Sequence, residues 1–158
     1  MPTAVALPYR LYFLYFEPIM TLSGAYLCLF SPLDFLARAT PLDVTTVTPL
    51  THLLLTQIAC LYIFHGFTEA IILRLSNDAR VWRTLAAGIA IADLGHLYSL
   101  YAAAPRAFVN VPGWTRDEWI NYGILTLGLA LRIGMLLGVG IGKGTRKPRS
   151  VGRVEMFK

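Results

Sequence analysis

Ionisable residues stand deep in apolar runs that should carry none, among them Glu17, His65, Glu69, Asp93 and His96. His65 and Glu69 are four apart in "CLYIFHGFTEAIIL", so a helix places them on one face. A carboxylate beside an imidazole fixes one ring tautomer or shares a proton with it. Asp93 and His96, three apart in "GIAIADLGHLYSLYAAA", repeat the arrangement. Glu17 precedes Pro18, and proline removes one backbone hydrogen bond and kinks a helix. The kink either opens space for a ligand or frees a carbonyl that Glu17 itself can bond. Arg132 is another such group; it cannot give up its proton, so an ion pair with Asp93 is expected. The chemistry these types allow is acid/base proton transfer. A carboxyl that keeps its proton, Glu69 or Glu17, protonates an alkene or epoxide, and Asp93 or His65 removes a proton elsewhere. Tyr12, Gln57, Tyr62, Tyr98, Tyr101 and Arg132 are expected to line the same pocket and bind the substrate. Aromatic faces there can stabilise a cation.

Such groups need elements that hold them away from water. The 158 residues are 56% hydrophobic and only 15% charged, which points to the membrane class. A span takes roughly 20 apolar residues, and four runs are long enough: about 9–30, 50–73, 81–103 and 119–141. No alternating barrel pattern appears. The expected fold is all-α: a polytopic membrane protein, a four-transmembrane-helix bundle over 1–142 with a basic tail at 143–158. Arg10 opens a first run too long for a signal peptide, so it reads as a retained helix.

Four spans put both ends on one face. That face takes Arg10, Arg74, Arg80, Arg83 and the tail's Lys143, Arg146, Lys147, Arg149, Arg153 and Lys158; the other takes Arg38, Arg106 and Arg116. The positive-inside rule then makes both termini cytosolic. The tail would lie along anionic headgroups of the membrane lipids. No folded platform stands beside it for nucleic acid. The endoplasmic reticulum is the default membrane for such a chain.

Each buried charge costs about 2.5–3.5 kcal/mol on insertion, so the set calls for internal partners. From the cytosolic end, helix rise puts Glu69 about 6 Å deep, Glu17 and His65 about 12 Å and Arg132 about 14 Å. Asp93 falls about 18 Å deep and His96 about 22 Å. Every span thus contributes to one band, as a central pocket open toward the cytosolic half requires. His65, Glu69, Asp93 and His96 carry metal-ligand atoms, but their spacing matches no standard motif; neither a metal nor a cofactor is expected. Cys28 and Cys60 read as small core residues. Trp82, Trp114 and Trp119 fit interface belts. Gly134 and Gly138 form a small-xxx-small pair, suited to close packing within the chain or in a homodimer.

A four-span bundle with His65-x-x-x-Glu69 in its second span resembles the emopamil-binding (EXPERA) group of sterol isomerases and the sigma-2 receptor. Glu17-Pro18, Val81-Trp82-Arg83, Ala92 to Ser99 and Leu131-Arg132 also resemble a family of small fungal four-span membrane proteins, over nearly the whole chain. The EXPERA resemblance implies that His65 and Glu69 sit in a proton-transfer pocket. The chain departs from that group by its shorter length and its Asp93-x-x-His96, and Asn121 and Trp119 are only candidates for the isomerases' late Asn and Trp. The function expected is an isomerase or cyclase for a lipophilic sterol, terpenoid or polyketide-type substrate, as in secondary-metabolite biosynthesis. The alternatives are a non-catalytic lipid or sterol binder using the same pocket, and a small transporter.

Overall fold

The structure, a computed structural model, describes residues 5–40 and 42–142. The basic tail expected at 143–158 lies outside the described residues. Four helices are long and apolar enough to cross a membrane: Leu7–Phe30, Pro49–Leu75, Ala79–Ala103 and Arg116–Leu136. The all-α, four-span architecture is as the apolar runs require.

Each span starts and stops for a local reason. Pro8 sits in the first turn of the first span, and the helix ends at Ser31, before Pro32. A short helix, Pro32–Ala39, comes next and packs Phe35 and Leu36 inward. Thr48 opens the second span by accepting the Thr51 N–H, with Pro49 in the first helical turn. Asp78 caps the third by accepting the Arg80 N–H at 2.8 Å. Thr115 and Glu118 form a reciprocal capping box at the fourth.

The fourth span is shorter than its apolar run. It ends at Leu136, not 141, because Gly138 takes φ +87°. There Val139 N–H donates to the Gly134 carbonyl at 2.9 Å and Gly138 N–H to that of Met135 at 3.0 Å. This paired pattern closes a helix around a left-handed glycine. The chain then turns back, and Ile141 bridges to Val5. Gly138 therefore leaves the helix, and a Cβ on Gly134 would meet the Tyr9 hydroxyl at 3.0 Å. Of the small-xxx-small pair, Gly134 packs closely within the chain, against the first span, and Gly138 serves the helix end.

The first span packs along the second, and the third along the fourth. Near the Val5–Ile141 end all four spans share a core of Tyr9, Phe13, Leu73, Trp82, Ala86 and Met135. Trp82 is buried in it and donates to the Ser76 carbonyl at 2.8 Å, so it is no belt residue. Toward the opposite end the buried apolar cluster is Ala25, Cys28, Leu55 and Ala59, from the first two spans. Large apolar side chains such as Ile19, Leu61 and Ile91 are exposed along the spans, the surface a lipid-facing protein presents.

Candidate functional site

Between those two cores the polar side chains meet on one residue. Arg132, fully buried, forks between the helix pairs. Its Nη1 donates to Asp93 Oδ2 at 2.6 Å on the third span. Its Nη2 lies 2.6 Å from Glu17 Oε1 on the first and donates to Glu69 Oε1 at 2.9 Å on the second. His65 Nε2 stands 3.3 Å from Glu69 Oε1, 3.4 Å from Arg132 Nη2 and 3.9 Å from Glu17 Oε1. The guanidinium also stacks over the Phe13 ring, 5.1 Å from its centroid. Arg suits this place because its planar fork serves several carboxylates at once.

Local backbone aims these groups. Tyr12–Phe16 and Thr68–Ile72 are π-helical turns; the first ends directly before Glu17 and the second contains Glu69. An extra residue in a turn rotates the side chains beyond it, and such turns recur at functional sites. Pro18 has no N–H for the Leu14 carbonyl four residues back. Arg74 of the second span fills that gap, donating to Leu14 O at 2.8 Å. Glu17 is thereby left free for Arg132 and does not bond the freed carbonyl. Gly128 provides room: a Cβ there would lie 2.9 Å from Arg132 Nη1, 3.1 Å from the Tyr12 hydroxyl and 3.3 Å from Glu17 Oε1. The Tyr12 hydroxyl donates to the Ile124 carbonyl at 3.2 Å at the edge of the cluster.

Of the expected site residues, Glu17, His65, Glu69, Asp93, Arg132 and Tyr12 are together. The others are not. His96 is half-buried one turn beyond Asp93, and its ring joins none of the described hydrogen bonds. Gln57, Tyr98 and Tyr101 are exposed on the lipid side, so they line no pocket with the cluster. Tyr62 packs against Phe35 and beside Gly24, in the other core. Helical spacing had placed these on the right spans without fixing which way each face turns. Sequence reasoning also missed Arg74 and Gly128, whose roles depend on a freed carbonyl and on a close approach.

The chamber itself is small. A cavity of about 10 Å³ adjoins Glu69 and Arg132. The larger hollow, about 330 Å³, lies at Ser31, Asp34 and Val47, away from the charges. Glu17, His65 and Glu69 do offer three metal-ligand atoms within 4.8 Å of one another. Arg132 Nη2 touches both of those carboxylate oxygens, so a guanidinium already stands where a cation would bind. The residues as arranged fit a fixed arginine. Fully ionised, three carboxylates around one guanidinium leave two negative charges in excess with His65 neutral. Burial of uncompensated charge is costly, so the cluster calls for protons as well as Arg132.

The chain belongs to the family described as a domain of unknown function (DUF7704), which covers residues 3–142. That stretch takes in the four spans and every member of the Arg132 cluster. No curated protein and no solved structure matches the chain significantly.

Proposed function

We propose that the Arg132 cluster is an intramembrane acid/base site, and that the protein is a cofactor-independent isomerase or cyclase for a lipophilic sterol, terpenoid or polyketide-type substrate. The observation that carries this is the meeting of three carboxyls and an imidazole from three spans around one arginine. A carboxyl of Glu69 or Glu17 gives its proton to His65 Nε2, and the imidazole passes one on to an alkene carbon or epoxide oxygen. The cation formed loses a proton from a neighbouring carbon to a second group of the cluster. For an isomerase no proton is gained or lost overall.

His65 is the member that meets the substrate. Its side chain is 21% exposed, against 10% for Glu17, 1% for Glu69 and 5% for Asp93. A cavity of about 10 Å³ holds no lipophile, so the substrate approaches from the lipid side at His65 while Glu69 exchanges protons behind it. Arg132 keeps the carboxyls in register and its charge constant. The basic residues on the Val5–Ile141 side, Arg74, Arg80 and Arg83, support cytosolic termini under the positive-inside rule, with the endoplasmic reticulum as the membrane.

The test needs no prior substrate. Membranes bearing the protein are incubated in D2O, and their extracted lipids are searched by mass spectrometry for carbon-bound deuterium. Incorporation that depends on the wild-type chain and falls at least 100-fold in Glu69→Gln and His65→Ala is the result expected. Equal lipid labelling in wild type and in folded variants overturns the reading. The closeness of the ring around Arg132 favours one alternative, a non-catalytic lipid binder whose charges only hold the bundle; it predicts that equal labelling.

A further inference from the structure

Three buried polar atoms around Arg132 have no hydrogen-bond partner among the described residues: Arg132 Nε, Glu69 Oε2 and Glu17 Oε2. Two of the three residues, Arg132 and Glu69, line the same small cavity, and both are at most 1% exposed. Nε–H is a donor and Oε2 an acceptor, so their needs are complementary. The rest of the wall is apolar, with Leu73, Trp82, Ala86 and Met135 among it, and the Trp82 N–H is already given to Ser76. The cavity, about 10 Å³, sits at the lower bound of what one water needs, about 10–15 Å³.

We infer that this cavity is a hydration site: one water accepts from Arg132 Nε–H, donates to Glu69 Oε2 when that carboxyl is ionised and accepts from it when it is protonated, and is the station through which protons reach the cluster. Two arguments select water over other occupants. An unpartnered buried donor or acceptor costs about 1–3 kcal/mol, and one water removes both penalties here. A metal ion would face the guanidinium, and an anion would face the carboxylate. The side of the cluster matters too. The wall residues Leu73, Trp82, Ala86 and Met135 belong to the core near Val5 and Ile141, so the site lies between the charges and that face of the protein. His65, half-buried, lies at the cluster's other access. Protons enter behind Glu69 and leave, or return, at His65.

Proton exchange at the cluster can be read without turnover. The chain in lipid nanodiscs is moved from H2O to D2O, and the carboxylic-acid C=O stretch of the cluster is followed by infrared spectroscopy. Ala86→Leu fills the cavity from its wall, with Ala86→Val as the milder filling if Leu prevents folding. Ala92→Leu adds the same bulk on the exposed side of the same helix. Wild type and Ala92→Leu are expected to exchange alike, and the filled variant at least tenfold more slowly, with thermal unfolding confirming the fold of each. Equal exchange in a folded filled variant overturns the inference, and so does the absence of any exchangeable carboxyl band. Slowed exchange without lipid labelling in D2O would retain the water and remove the enzyme.

Discussion

Two sets of ion pairs share nearly the same geometry and differ in everything else. Arg132 meets its carboxylates at 2.6–2.9 Å in the middle of the bundle. Arg80 meets Asp78 at 2.8 Å at the end of the third span, with its side chain 90% exposed. Distance alone would rank them together. The surrounding medium separates them, because a charge pair in water gains little and is screened, whereas a buried charge without its partner is severely penalised. The buried set also bears a structural load the exposed pair does not. Its members come from all four spans, and Arg132 links the two helix pairs. In the opposite half, the buried apolar cluster Ala25, Cys28, Leu55 and Ala59 joins only the first two spans. Charge holds together what apolar packing there does not.

The largest effect should come from removing the shared partner. Arg132→Met leaves three carboxyls facing one another, and destabilisation of about 3–5 kcal/mol is expected, measured by unfolding in detergent or nanodiscs. Arg132→Lys should fall between, since one ammonium cannot fork to carboxylates on three spans. A triple change, Arg132→Met with Glu17→Gln and Glu69→Gln, should recover part of the loss. No recovery would mean that Arg132 acts by shape and not by charge.

The carboxylates should then differ among themselves. Asp93 is the one group that Nη1 meets in the cluster, and Asp93→Asn weakens that charge-assisted bond, at a cost of about 1–3 kcal/mol. Glu17 and Glu69 share Nη2, and the cluster carries excess negative charge, so Glu17→Gln should be near neutral for stability. Equal losses for Asp93→Asn and Glu17→Gln, read as Tm shifts, would erase the distinction. Gly128→Ala tests the same place by volume. Its Cβ would press on Arg132 Nη1, Tyr12 and Glu17, and overpacking of that kind costs about 1–3 kcal/mol.

Geometry decides how much of the molecule could be read from residue order. Depth was legible: a rise of about 1.5 Å per residue put Glu17, His65, Glu69, Asp93 and Arg132 in one band, and they meet. Facing within a helix was legible too, as the His65–Glu69 contact at 3.3 Å shows. The direction in which a face points was not. Each residue turns a helix by about 100°, and an apolar run does not mark which side of that turn meets the neighbouring helices. In an apolar span the lipid side and the core side have the same composition, which is why Tyr98 and Tyr101 passed for pocket residues. The end of the fourth span was misplaced for a related reason. Residues 137–141 are as apolar as the helix before them, and the left-handed Gly138 and Gly140 mark the stop.

The exposed pair gives the smallest effect and the cleanest contrast. The Arg80 guanidinium and N–H beside Asp78 hold its carboxyl below the usual carboxylate range. A carboxyl whose pKa is depressed by folding stabilises the fold above its unfolded value, about 3.9, and ceases to as the pH falls through the folded value. Asp78→Ala should therefore lower Tm slightly at neutral pH, through loss of the helix cap. That difference should narrow below about pH 4 and shrink with added salt. The Arg132 cluster, shut off from solvent, should show no such salt dependence in the Arg132→Met comparison. A salt response of the same size in both places would mean that water reaches the centre of the bundle as freely as its rim, and the contrast between the two sets of charges would be gone.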